Sequence, residues 1–182
     1  MPAQRLIFNK EQISRTIERL GLEIREAHGD TENFVLIGIQ RRGVHLGERI
    51  KEFLMQRSRE EIPHGKLDIN LYRDDWTSLQ NQPWINSTEI PFEVEGKNIL
   101  LVDDVLYSGR TVRAALEAII DFGRPNKVEL LVLLDRGHRE LPIQADFIGK
   151  TIPTSQNEHV DVNLEELDGV DQVLLQEDSS GS

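Results

Sequence analysis

The sequence predicts an α/β fold built on a mainly parallel, twisted sheet with helices on its faces. Three observations carry that reading. Apolar runs of strand length occur at 34–39, 98–102 and 127–134. Segments with helical periodicity separate them, the alternation that produces a parallel sheet. Charged residues gather just past the runs, at Arg41, Arg42, Asp103, Asp104 and Asp135. Open α/β sheets bind ligands beyond the carboxyl ends of their strands, so this convergence marks a candidate site.

The elements follow in order. Asn9 reads as an N-cap with Gln12 at the third helical position, and Ile13, Ile17, Leu20 and Ile24 recur at helical spacing, which predicts a helix over 10–28. The run 34–39 is a strand, and Gln40-Arg41-Arg42-Gly43 is the loop after it. Val44, Leu46, Ile50, Phe53 and Leu54 suit a second helix. Residues 66–72 alternate apolar and polar, as a strand with one wetter face does. Residues 73–95 are polar and proline-bearing, hold Trp76 and Trp84, and read as a mobile loop or extended hairpin. A strand over 98–102, a helix over 111–122 stopped by Gly123 and Pro125, and a strand over 127–134 come next. Short strands near 145–148 and 171–175 complete the pattern.

Composition narrows the class. The 182 residues suit one domain, 1–178, with a disordered end at 179–182. There is no cysteine, and hence no disulfide framework or thiolate chemistry. No apolar run approaches the roughly 18 residues of a membrane span, and the first residues lack a signal-peptide core, so the expected location is cytoplasmic. The net charge of −11 is unevenly placed: residues 157–182 hold eight acids and no Lys or Arg, leaving 24 acids against 21 bases, a net of −3, elsewhere. An overall basic footprint for nucleic acid is missing.

Residues 99–111 carry the most chemistry. An apolar run meets Asp103-Asp104, then Val105-Leu106-Tyr107-Ser108-Gly109-Arg110-Thr111, then a helical pattern. The loop offers backbone N–H groups and the Ser108 and Thr111 hydroxyls to a phosphate, and the helix adds the positive end of its dipole. The two carboxylates stand one step away, within reach of ribose hydroxyls. A ribose 5-phosphate fits that description.

This segment resembles the PRPP-binding signature of type I phosphoribosyltransferases. Together with Leu71-Tyr72-Arg73-Asp74-Asp75, the segment 135–143 (Asp-Arg-Gly-His-Arg-Glu-Leu-Pro-Ile) and the segment 149–155, it is similar to the PyrR family over nearly the whole chain. Those proteins are pyrimidine operon attenuation regulators with uracil phosphoribosyltransferase activity. The resemblance implies the type I fold, with a mobile hairpin loop and a small hood region. It assigns catalytic roles to Arg73, Asp103 and Asp104, with the acids binding ribose and facing Mg²⁺ through water. Val105 to Thr111 would cradle the 5-phosphate, Arg41 and Arg42 would contact the pyrophosphate, and Arg136 and the backbone of Val160 would meet the base. Guanidinium forks suit a diphosphate. Enzymes acting on 6-oxopurines commonly have a carboxylate where this chain has Tyr107, so a pyrimidine substrate is expected.

Two functions follow from the resemblance. One is an enzyme that turns uracil and PRPP into UMP and pyrophosphate. The other is a nucleotide-sensing RNA-binding regulator with little turnover. Arg19, Arg139 and Lys150 are candidate RNA contacts. Glu18, Leu22 and Gln144 stand where RNA-binding relatives tend to have Thr, His and Arg, so weak RNA affinity is expected. A homodimer or higher homo-oligomer is expected from the resemblance alone. His138 is expected to make a structural hydrogen bond in a turn.

Overall fold

The computed structural model describes residues 3–29, 32–58, 60–74 and 87–178. Asp75, Trp76, Trp84 and the expected disordered end at 179–182 lie outside the described residues, as does most of the expected hairpin. The strands are β1 (Gln4–Phe8), β2 (Phe34–Ile39), β3 (His64–Leu67), β4 (Asn98–Leu106), β5 (Lys127–Asp135), β6 (Phe147–Thr151), β7 (Glu158–Asn163) and β8 (Gln172–Glu177). The helices are α1 (Lys10–His28), α2 (Arg42–Met55), α3 (Arg110–Phe122) and the single turn α4 (Glu165–Asp168).

Five strands form an all-parallel sheet in the order β3-β2-β4-β5-β6. Its centre is buried on both sides, so β2 reads as a continuous apolar run rather than an alternating one. One core layer joins this sheet to α1 and α2 through Ile13, Leu20, Ile24, Leu46, Ile50, Leu100 and Leu131. The layer on the opposite face packs Val112, Ala115 and Ile119 of α3 against Ile37, Leu101 and Val132. A second, antiparallel sheet, β1-β8-β7, lies outside the first and shares its α1-side core through Phe8, Val162, Leu164 and Val173. This is the hood. Among the described residues, no helix is long and apolar enough to cross a membrane.

The first helix begins where its cap predicts. Asn9 Oδ1 accepts from the Gln12 N–H at 2.9 Å, and Gln12 Oε1 accepts from the Asn9 N–H at 2.9 Å. Several boundaries differ from expectation. The strand expected over 66–72 is β3 at 64–67 followed by a 3-10 turn, Asn70–Tyr72. Asp68 causes the break: its carboxylate accepts from the Asn70 N–H and caps the turn. The strand expected to end at 102 runs to Leu106, because β4 keeps pairing with β5 through Val105↔Leu134 and Leu106↔Asp135. The acid pair therefore lies within the strand rather than past it. The expected strand near 145–148 is shifted to 147–151, where Asp146 turns the chain by accepting from the Leu130 N–H. β1 and β7 were not expected. Each buries only one residue, so neither carries a strong periodic signal.

Candidate active site

The carboxyl ends of β2, β3 and β4 open into a cleft of about 240 Å³. Arg41, Arg42, Asn70, Arg73, Asp103, Asp104 and Thr111 line it. Two of the expected strand-end clusters, Arg41–Arg42 and Asp103–Asp104, thus meet at one place with Arg73 beside them, whereas Asp135, expected with them, lies outside this cleft and pairs with Arg139 at 2.6 Å. Gly43 lets the Arg41–Arg42 loop lie directly on β4: a Cβ there would stand 2.3 Å from the Val102 carbonyl oxygen. Any larger residue would push the two arginines away from the acids.

Asp103 is only 6% exposed. Burial, then the neighbouring Asp104 carboxylate, push its carboxyl well above the usual carboxylate range. Asp103 Oδ1 accepts from the Asp104 N–H at 2.9 Å, and Asp104 Oδ1 accepts from the Val105 N–H at 2.8 Å. One oxygen of each acid thus orients the backbone, and a hydrogen bond between the two side chains adds to the upward push on Asp103.

The strand then passes into the turn expected to bind phosphate. Gly109 caps α3 with φ +92°, a conformation that favours glycine, and the Ser108 Oγ accepts from the Arg110 N–H at 3.2 Å. Leu106 is 1% exposed, so its side chain belongs to the core and only its backbone is available to the loop. The Val105 side chain packs toward the opposite core layer.

The segment 135–143 braces this turn. Ser108 O accepts from the Glu140 N–H at 2.9 Å and the Leu141 N–H at 3.2 Å. Arg139 donates to Tyr107 O (2.9 Å), Ile143 O (2.8 Å) and Asp135 Oδ2 (2.6 Å). Arg110 bridges Glu140 (2.6 Å) and Asp74. Two residues assigned to ligands thus use their charge within the protein: Arg110, expected at the phosphate, and Arg139, expected at RNA. Sequence inspection finds the cations but few of their partners: apart from Asp135, four residues from Arg139, these are far away in the chain or are backbone carbonyls.

Arg136 is buried and holds its guanidinium 4.2 Å from the Tyr107 ring centroid. Its Nε and Nη2 donate to Thr154 Oγ1 and Ser155 O, both at 3.3 Å. His138 Nε2 donates to Thr154 O at 2.6 Å, the structural hydrogen bond expected of it. Val160 lies on β7 of the hood, half-buried against the shared core. Arg42 pairs with the hood as well: its Nη2 donates to Asp168 Oδ1 (3.0 Å) and Oδ2 (3.2 Å). Arg41 is exposed and has no ion-pair partner among the described residues. Arg19 donates to Gly149 O and pairs with Glu23 (2.6 Å), and Lys150 Nζ stands 5.4 Å from the Phe8 ring centroid.

An acid pair, a phosphate turn and a cationic loop at the ends of parallel strands define a phosphoribosyltransferase. The Phosphoribosyl transferase domain model matches residues 4–167, and the chain is an enzyme of that class. Within the class it belongs to the PyrR family. It is 53% identical to the Bifunctional protein PyrR of Pelotomaculum thermopropionicum over 171 residues, 94% of each chain. The Bifunctional protein PyrR of Thermus aquaticus is also 53% identical, again over 94% of each. Solved structures support the fold. The hypoxanthine phosphoribosyltransferase of Trypanosoma cruzi in a ternary substrates complex aligns with a TM-score of 0.73 at 19% identity, covering 94% of each chain. That of Staphylococcus aureus aligns at 0.69 and 20% identity, covering 96% of this chain and 93% of its own.

Proposed function

We propose that this chain is a uracil phosphoribosyltransferase of the bifunctional PyrR type, working in the cytoplasm as one domain over 1–178. The observation that carries the reading is the Asp103–Asp104 pair set between the phosphate turn and the Arg41–Arg42 loop. The 5-phosphate lies on the Ser108 to Thr111 turn, at the positive end of α3. Asp103 and Asp104 hold the ribose hydroxyls. Arg41, Arg42 and Arg73 face the departing diphosphate. The bond from the anomeric carbon to the diphosphate oxygen breaks, the bond to uracil N1 forms, and the N1 proton leaves with the medium. Positive charge gathers on the sugar at the transition state, so the two carboxylates act by charge placement and alignment.

The donor set fits Mg²⁺ held chiefly by substrate. Among the described residues, no three His, Cys, Asp or Glu side chains gather as a metal cage. Two adjacent carboxylates suit an ion that keeps its waters and its diphosphate ligands. When bound, Mg²⁺ neutralises diphosphate charge, and Asp103 and Asp104 would hold its waters.

Tyr107 favours a pyrimidine. A phenol stacked on Arg136 supplies no carboxylate for a purine ring. The test is pyrophosphate release from PRPP with uracil, hypoxanthine, guanine and orotate in parallel. Release with uracil alone is expected, and efficient hypoxanthine turnover would overturn the reading. The second activity implied by the bifunctional type is UMP-sensitive RNA binding. Arg19, Arg139 and Lys150 are each already engaged, which supports weak RNA affinity. A nanomolar, salt-sensitive, UMP-stimulated complex with an operon-leader hairpin would overturn that part.

A further inference from the structure

The Arg42 guanidinium is held through one of its nitrogens only. Its Nη2 meets both oxygens of Asp168, at 3.0 and 3.2 Å. Its Nε is buried and has no hydrogen-bond partner among the described residues. A buried N–H without an acceptor is costly, and native proteins rarely leave one without a use. Arg42 also lines the cleft that holds Asp103 and Asp104. Asp168 is itself fixed. Its Oδ2 accepts from the Leu164 N–H at 2.9 Å, its own N–H donates to Leu164 O at 2.7 Å, and Leu164 is fully buried. The hood therefore presents a rigid carboxylate to the first residue of α2.

We propose that Asp168 is a positioning residue for the substrate's diphosphate: it holds Arg42 through Nη2 alone, fixing the guanidinium at the cleft with donors left for a diphosphate oxygen. Arg is a long side chain with much rotamer freedom, and a fork already held at one nitrogen gives up less of it when an anion binds. This inference rests on the diphosphate role given above to the Arg41–Arg42 loop. It adds a hood residue to that subsite and gives the hood a part in holding the leaving group.

Charge alone predicts the opposite sign. Removing an anion near a diphosphate subsite should tighten diphosphate binding, so the direction of change decides between orientation and simple repulsion. The experiment is calorimetric titration of the full chain with Mg-pyrophosphate, for wild type, Asp168→Asn and Asp168→Glu, beside steady-state kinetics. Asp168→Asn is expected to weaken pyrophosphate about tenfold and to raise KM for PRPP by a similar factor, with kcat and KM for uracil within about twofold. Asp168→Glu restores most of the loss. Equal or tighter binding by Asp168→Asn, or a rise in KM for uracil as large as that for PRPP, would overturn the inference while leaving the diphosphate reading intact. Wild type that fails to bind Mg-pyrophosphate would remove both.

Discussion

In the parallel sheet, β2 buries all six of its residues and β4 six of nine; in the hood, β1 buries one of five and β7 one of six. What the hood lacks in apolar burial it makes up in ions. Arg49 of α2 pairs with Glu166 (2.6 Å) and Asp171 (2.8 Å), Arg42 with Asp168, and Lys10 of α1 with Glu165 (2.7 Å). The acids that make the 157–178 stretch so negative are in large part the hood's fasteners, and the cations they meet come from α1 and α2. The site lies between a part of the molecule held by packing and a part held largely by charge. The two should fail under different stresses.

The largest effect belongs to the packed part. Leu101 is fully buried on β4, and Leu101→Ala should cost about 3–4 kcal/mol. Thermal unfolding should show a Tm lower by about 10 °C, at a rate of roughly 3 °C per kcal/mol for a chain of this size. Arg49→Ala comes next. Its pairs keep some exposure, 20% for Arg49 and 34% for Glu166, so the loss is about 2 kcal/mol, below the usual figure for a fully buried pair. Hydrogen exchange should quicken in β7 and β8 while β4 stays protected. Equal loss of protection in both sheets would abolish the distinction.

Acid separates the two parts further. Burial pushes His64 on β3 down to about 4 from its ordinary 6.5, so the folded protein keeps it neutral where the unfolded chain protonates it. The stability this neutrality preserves is whole above pH 6.5 and declines as pH falls to about 4. The Arg49 guanidinium holds the Glu166 and Asp171 carboxyls below their ordinary values despite partial burial. Their contribution is present above the unfolded carboxylate range and is lost only as pH falls through the lower, folded values. Stability measured in His64→Gln should therefore be flat between pH 6.5 and 5, with the hood's acid loss unchanged below. A decline identical to wild type would show that His64 is not its source. The smallest effect is at Lys10→Ala. Both members of its pair are exposed, so Tm should not move, and a fall matching Arg49→Ala would overturn the ranking.

The same contrast explains what could be read from the chain. The capping box at Asn9 and Gln12 and the run 34–39 are local patterns that formed as expected, and the 99–111 motif kept its order of strand, turn and helix although its strand runs on through the acid pair to Leu106. Arg41, Arg42, Asp103 and Asp104 stood out because acids and arginines follow apolar runs, Thr111 because of the turn motif and Arg73 through the resemblance, and all six line one cleft. The hood was mostly illegible. β7 alternates weakly, with His159 and Asp161 among its residues, and its partner β8 becomes a neighbour only through a turn that four ion pairs secure. Long-range pairs such as Arg42–Asp168 and Arg49–Asp171 have no signature at short spacing. A charged residue in a strand-end loop signals a site, but not which way its side chain turns.

β1 pairs with β8 in the register Gln4↔Gln176 and Arg5↔Leu175. Strands so far apart in sequence meet late, since closing a long loop must precede the contacts that reward it. A ribosome has to release everything between them before β1 finds its neighbour. The parallel sheet waits less: its last strand, β6, ends at Thr151, before β7 and β8 are made. During synthesis Arg42, Asp103 and Asp104 are therefore all made before Asp168, so the residues that line the cleft precede the hood carboxylate that holds Arg42.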